Sequence, residues 1–174
     1  MLQSLPKAGT LNIAQAFTQA LHLQNQGRLQ EAESLYAQIL SARPDHVDAL
    51  HMMGVVRLAK GQPAEALQFI AAAMQVRKPT PTMLYNQGLI LKALVRAEDA
   101  LASFEQAIAL RPNYAAALIN RAQVLQRFGR TQDALDGIEH ALALKPDGGA
   151  LALRGRLLRE VEAQAFVVPD ALRV

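Results

Sequence analysis

The residue types that most often carry catalysis or bind metals are few in this chain of 174 residues, and they lack the spacing such sites need. The absence of Cys excludes disulfides, thiolate catalysis and Cys-ligated zinc or iron–sulfur centres. The four His residues supply no ligand set, because even His46 and His51, five positions apart, do not share a helix face. We interpret them as surface residues and predict neither a metal site nor a cofactor.

Acidic residues recur once every 34 positions, at Glu31, Glu65, Asp99 and Asp133. A catalytic carboxylate pair would not be copied four times, whereas an acid in the first turn of a helix complements the helix dipole wherever it is repeated. The glycines are isolated rather than grouped into a phosphate-binding loop, and no GxSxG nucleophile motif occurs. We therefore predict that the chain is not an enzyme.

The same period of 34 governs the elements that carry these residues. Small residues recur in two registers, at Ala20, Gly54, Gly88 and Ala122, and at Ala32, Ala66, Ala100 and Ala134. A third register holds Gly27, Gly61 and Gly129, with Val95 in the remaining copy, and a fourth holds Pro44, Pro112 and Pro146. The repetition predicts a lead at 1–12 and four repeats at 13–46, 47–80, 81–114 and 115–148.

Each repeat has the pattern of two helices joined by a turn. In the third copy, Leu84, Gly88 and Leu91 follow helical spacing, and Leu101, Phe104 and Ile108 do so after the turn. The Gly near the middle permits the left-handed backbone that ends the first helix. The small residues allow the two helices to approach closely. Thr80 and Pro81 read as an N-cap followed by Pro at the first helical position.

A helix–turn–helix unit of this length, with residues such as Leu84, Gly88, Ala100, Phe104 and Pro112 in order, resembles the tetratricopeptide repeat. The resemblance covers 13–148 and implies an all-α fold: a right-handed α-solenoid of hairpins whose first helices line a concave groove. The family's Trp and first-helix Tyr are absent, and Arg57 occupies that Tyr position in the second copy.

Residues 149–164 predict one more first helix, which caps the repeats, and 165–174 form a tail. The helix carries two apolar lines, Leu151, Gly155 and Leu158 on one side and Leu153, Leu157 and Val161 on the other. A terminal helix normally has a polar outer face. We expect the second line to be covered by the tail, by a second molecule or by further sequence.

The resemblance places the binding surface at the second, fifth, sixth, ninth and twelfth positions of each repeat. The fifth and ninth positions are mainly apolar, and such a stripe suits an amphipathic helix or an extended apolar peptide, although these side chains could instead pack between neighbouring first helices. The candidate site residues are Phe17, Leu21, His51, Val55, Tyr85, Asn86, Leu89, Ile119, Asn120 and Gln123.

Asn86 and Asn120 share the sixth position, where an amide can bind a peptide backbone without reading its sequence. This resembles, over two rungs, the asparagine ladder in the repeat arm of O-linked N-acetylglucosamine transferases; the alternative is two solvated Asn residues. The family's carboxylate clamp lacks its cationic pair here, so we predict no such clamp. Arg121, Arg127 and Arg154 could form a basic rim, or could be ordinary solvated residues.

The amino-acid composition limits the kinds of partner that the chain can bind. The apolar content of 51% excludes wholesale disorder, while 18 Lys and Arg against 15 Asp and Glu leave a net charge of only +3. With few aromatic residues as well, the chain offers little for nucleic-acid binding. We find no transmembrane run and no signal peptide, and predict a cytoplasmic protein without membrane insertion.

The leading hypothesis is a non-catalytic interaction scaffold that binds a protein or peptide in its groove. Two alternatives stay open. The chain could be the repeat arm of a larger enzyme, such as a glycosyltransferase, or a homo-oligomerising module that associates through its last helix and the tail from Phe166 to Val168.

Overall fold

The computed structural model describes residues 12–166, which form nine α-helices and no strand. The helices are α1 Ile13–Asn25, α2 Leu29–Ala42, α3 Val47–Ala59, α4 Pro63–Val76, α5 Pro81–Ala93, α6 Ala97–Leu110, α7 Ala115–Arg127, α8 Thr131–Leu144 and α9 Gly148–Phe166. The all-α prediction is confirmed for these residues. The predicted lead falls largely outside them, and so does the tail from residue 167 onward.

The turn inside each hairpin follows the sequence pattern. Gly27, Gly61 and Gly129 have φ angles of 76°, 74° and 70°, so each adopts the left-handed conformation predicted for it. Val95 adopts the same conformation, with φ of 61°. A β-branched residue is strained there, because its Cβ crowds the neighbouring carbonyl. The repeat geometry therefore imposes the turn even on a residue that disfavours it.

The recurring acids lie in the first turns of α2, α4, α6 and α8, where the dipole argument places them. Three of them also pair with an Arg at the N-cap. The closest N–O distances are 2.5 Å for Arg28–Glu31, 2.6 Å for Arg96–Asp99 and 2.7 Å for Arg130–Asp133. All six side chains are about half exposed, so water screens these pairs and they add little stability.

Small residues do bring the two helices of a hairpin together. A Cβ on Gly54 would come within 2.8 Å of Ile70 Cγ1, and a Cβ on Gly88 within 2.5 Å of Phe104 Cε1. The recurring alanines of the second helices, Ala32, Ala66, Ala100 and Ala134, are wholly buried. Close contact is thus built into each repeat by the absence of side-chain atoms.

The described residues up to Lys78, with α1–α4, form one compact unit. Its core includes Tyr36, which is fully buried and donates a hydrogen bond from its hydroxyl to Gln24 Oε1 at 3.0 Å. Burial raises the pKa of Tyr36 to about 12. Between α2 and α3, the buried Glu33 carboxylate contacts both Arg57, at 2.6 Å, and Lys60. The Arg at the family's Tyr position is therefore held by an internal ion pair.

The residues from Pro79 onward, with α5–α9, form the second unit. Two equivalent ion pairs join neighbouring repeats: Arg121 of α7 pairs with Glu105 of α6 at 3.1 Å, and Arg154 of α9 pairs with Glu139 of α8 at 3.2 Å. These arginines therefore already have acidic partners, and the basic rim proposed from the sequence loses two of its three members.

The last helix corrects a sequence-based expectation. Leu153 and Leu157 are buried within the chain's own core, in one cluster with Leu135 and Ile138 of α8. The second apolar line thus needs neither the tail nor another molecule to cover these two residues. The first line is the less covered one, since Leu151 is 55% exposed. In earlier repeats that side of a first helix packs on its own second helix, and none follows α9 in the described residues.

Candidate binding surfaces

In the first unit, the predicted site residues are only partly accessible. The Phe17 ring lies between those of Tyr36 and His46, with centroid distances of 5.8 and 5.7 Å. Leu21 and Val55 are half-buried. Part of the Phe17 side chain is therefore covered by internal packing. This agrees in part with the alternative interpretation, in which the apolar stripe packs within the fold.

His51 is the predicted site residue that the fold covers most, with only 6% of its surface exposed. Burial lowers its pKa, an effect that the nearby Asp48 opposes and Arg77 reinforces. The sequence-based interpretation of all four histidines as surface residues is wrong for His51. Its imidazole has little surface to offer a ligand.

In the second unit, three aromatic rings form a cluster around Tyr85. The ring of Tyr85 lies 5.0 Å from that of Tyr114 and 6.0 Å from that of Phe104, centroid to centroid. Burial is the main cause that raises the pKa of Tyr85, with a smaller contribution from Tyr114. Its neighbours at the predicted positions, Leu89 and Ile119, are also half-buried. A partly accessible apolar patch therefore lies on α5 and α7.

Beside this patch, Lys92 of α5 reaches across to two amide side chains of α7. Its Nζ donates hydrogen bonds to Asn120 Oδ1 at 2.6 Å and to Gln123 Oε1 at 2.8 Å. The Asn120 amide nitrogen donates to the Ala116 carbonyl at 3.0 Å and to the Tyr85 hydroxyl at 3.5 Å. Both N–H groups of the Asn120 amide are thus used within the fold, and only one lone pair of Oδ1 remains to accept a hydrogen bond from a peptide N–H.

Lys92 also lines a cleft of about 370 Å³, together with Gln123, Val124, Gln126 and Arg127. We call this the Lys92 cleft. At its edge, Gln126 donates a hydrogen bond to Glu160 Oε1 of α9 at 2.5 Å. Among the residues that the structure describes, neither Lys92 nor Arg127 forms an ion pair with an acid. The cleft therefore presents two cations against neutral amides.

Lys92 was not among the predicted site residues, and Arg127 was named only as a member of the possible basic rim. The signal for Lys92 was present, because it is the one Lys or Arg at the five groove positions of the four repeats. Asn86, the other rung of the predicted ladder, is half-buried on α5. The structure thus gives the two ladder residues different surroundings.

Other kinds of site find no support in residues 12–166. No three His, Asp or Glu side chains there come together as metal ligands would. None of the helices α1–α9 has the length and apolar character needed to cross a bilayer.

Comparison with known families shows which protein family the chain belongs to. Two models described as tetratricopeptide repeat match, one over residues 23–81 and one over residues 85–149. The chain belongs to the tetratricopeptide repeat family. The resemblance drawn from the 34-residue period is thereby confirmed. The weaker resemblance to the transferase arm stays untested.

Solved structures with a similar fold include several repeat proteins. MamA aligns over 84% of this chain and 96% of its own, with a TM-score of 0.67 and 19% identity. YrrB, a TPR protein with an unusual peptide-binding site, aligns over 84% and 76%, with a TM-score of 0.71 and 21% identity. PilF of Pseudomonas aeruginosa aligns over 88% and 70%, with a TM-score of 0.79 and 19% identity. At these identities the likeness shows the fold alone. A comparison with curated protein sequences gave no significant match.

Proposed function

We propose that the chain is a protein-interaction scaffold, with no catalysis of its own, that binds a peptide or helix of a partner on its first helices. Proteins of this family bind protein or peptide partners, and the similarly folded YrrB has a peptide-binding site. The observation that carries the proposal is the surface of α5 and α7. There, half-buried apolar side chains stand beside amide and ammonium groups, as in many ligand sites.

The second unit supports this function better than the first. Tyr85, Leu89 and Ile119 offer apolar contact, while Gln123 is exposed and able to bind peptide backbone. In the first unit, Leu21 and Val55 remain candidates, but we leave His51 out because it is buried. We place the principal peptide contact on the first helices of the second unit.

A substitution on this surface tests the proposal. Peptides are selected with the wild-type chain from random libraries with amidated and with free C-termini, and their dissociation constants are measured by fluorescence anisotropy. We expect Leu89→Glu to weaken binding about tenfold, because it places a charge on the apolar patch. The matched control is Leu110→Glu, which alters an exposed apolar residue of a second helix.

Circular dichroism and thermal unfolding establish that both variants keep the fold. A failure of the wild type to select any peptide, or equal affinity of Leu89→Glu and wild type, would contradict the proposal. Membership in a larger enzyme, self-association and a cytoplasmic location remain predictions.

A further inference from the structure

Four arginines of the second unit are matched with acids. Arg96, Arg121, Arg130 and Arg154 each form an ion pair with a carboxylate of the same unit. The Lys92 cleft is lined by two cations that lack such a partner within residues 12–166. Its Lys92 is half-buried and held by neutral amides, and its Arg127 has no acidic partner among the described residues.

The geometry leaves Lys92 with capacity for a ligand. An ammonium has three N–H donors, and Asn120 and Gln123 accept two of them. The two amide oxygens fix the position of Nζ while leaving its positive charge uncompensated. The guanidinium of Arg127, on the last turn of α7, lines the same cleft and adds donors suited to a carboxylate.

The electrostatics of the cleft agree with this geometry. Burial lowers the pKa of Lys92, and the positive charge of Arg127 lowers it further. Both effects disfavour the ammonium, and an anion placed between the two cations would oppose them. Glu160, held by Gln126 at the edge, contributes a negative charge there. Two cations and one acid leave a single positive charge, which suits a carboxylate better than a phosphate dianion.

We propose that the Lys92 cleft binds a carboxylate of the partner peptide. The inference rests on the proposed function, and it adds an acidic group to the apolar contacts named there. The residues involved differ from the family's carboxylate clamp, because Lys92 stands at the twelfth position of its repeat and Arg127 at the thirteenth.

The test uses the whole chain and two pools of random, N-acetylated peptides, one with C-terminal amides and one with free C-termini. We expect the wild type to enrich Asp or Glu at one peptide position in the amide pool if a side chain supplies the carboxylate. If the wild type selects peptides from the pool with free C-termini but not from the amide pool, the carboxylate is the C-terminal one. Lys92→Met keeps the aliphatic stem and should lose this preference.

An affinity cycle then isolates the contact. Lys92→Met should weaken the best acidic peptide about tenfold, since a charged hydrogen bond is lost. The same peptide with its carboxylate replaced by an amide should bind both proteins equally. Arg127→Gln, at an exposed residue, is a second variant that should also weaken binding while leaving the fold intact. Lys145→Met makes the same charge change at an exposed C-cap of α8 and should have no effect.

The outcomes separate the two proposals. Peptides selected equally well from both pools with no enrichment of Asp or Glu, or a carboxylate preference that survives both Lys92→Met and Arg127→Gln, would overturn the carboxylate site and leave the scaffold function standing. If the wild type selects no peptide from either pool, both proposals fail.

Discussion

The Phe104 ring occupies the space that a side chain on Gly88 would need. A Cβ built on Gly88 would lie 2.5 Å from Cε1, 2.7 Å from Cδ1 and 2.8 Å from Cζ of that ring. Phe104 is wholly buried, so it has no room to withdraw. The helices α5 and α6 thus touch where one of them carries no side chain.

Gly88→Ala should therefore lower the free energy of unfolding by about 2 kcal/mol, because the added methyl group overpacks the hairpin. Gly137→Ala is the matched control, since Gly137 also lies within a helix but its Cβ would meet nothing closer than 3.9 Å. We expect the control to gain about 0.5 kcal/mol from helix propensity. Urea unfolding followed by circular dichroism measures both, and equal stability of the two variants would refute the packing argument.

The strained turn of the third repeat gives a second prediction. Val95 is 81% exposed and has a positive φ, so its side chain gains little packing in return for the strain. Val95→Gly should raise the unfolding free energy by about 1 kcal/mol. Gly129→Val, the reverse change at the same repeat position, should lower it by a similar amount. The paired measurement fails if both substitutions shift stability in the same direction.

The ion pairs of Glu33 give a third prediction. Glu33→Gln leaves Arg57 and Lys60, both largely covered, without their shared carboxylate. Arg57 keeps its ion pair with Glu65 at 2.9 Å, whereas Lys60 has no second carboxylate among the residues that the structure describes. We expect a loss of about 2 kcal/mol, since an uncompensated Lys60 charge in a partly buried site is costly. Glu105→Gln breaks the more exposed pair with Arg121 and should cost about 0.5 kcal/mol. Thermal unfolding that shows equal losses would contradict the role of burial.

The fourth prediction concerns pH. The pKa of His51 in the folded chain is below its usual value of 6.5, so the unfolded chain binds this proton more readily. Its contribution to stability is present above 6.5 and is lost as the pH falls toward the folded value. Unfolding followed as a function of pH should show this decline. His51→Gln should remove that part of the pH dependence, while His140→Gln, at an exposed residue, should retain it. Identical profiles for the two variants would contradict the assignment to His51.

Much of the fold was predictable because it depends on short-range chemistry repeated in register. The starts of α1, α3, α5 and α7 at Ile13, Val47, Pro81 and Ala115 keep the period of 34, and Thr80 caps α5 as predicted, its hydroxyl accepting a hydrogen bond from the Met83 N–H. Backbone conformation at Gly27 and the first-turn position of Glu31 are local properties, so neighbouring residues suffice to specify them.

The candidate site was harder to predict, because accessibility depends on what packs nearby. Repeat position places His51 and Tyr85 alike, yet one is buried and the other half-buried. The position of Asn120 suggested a free amide, whereas Lys92 and Tyr85 from another helix engage it. The sequence left Leu153 and Leu157 without an identified packing partner, whereas in the fold they pack in one cluster with residues of α8.

The sequence by itself determined the repeat, the helices, the turns and the family, since each follows from residue types at fixed separations along one chain. Only the tertiary structure decided which side chains remain available. It paired Arg121 and Arg154 with acids and left Lys92 and Arg127 facing one cleft without an acidic partner in the described part of the chain. The physical reason is that charge compensation and burial depend on distances between helices, which the separation along the sequence does not specify.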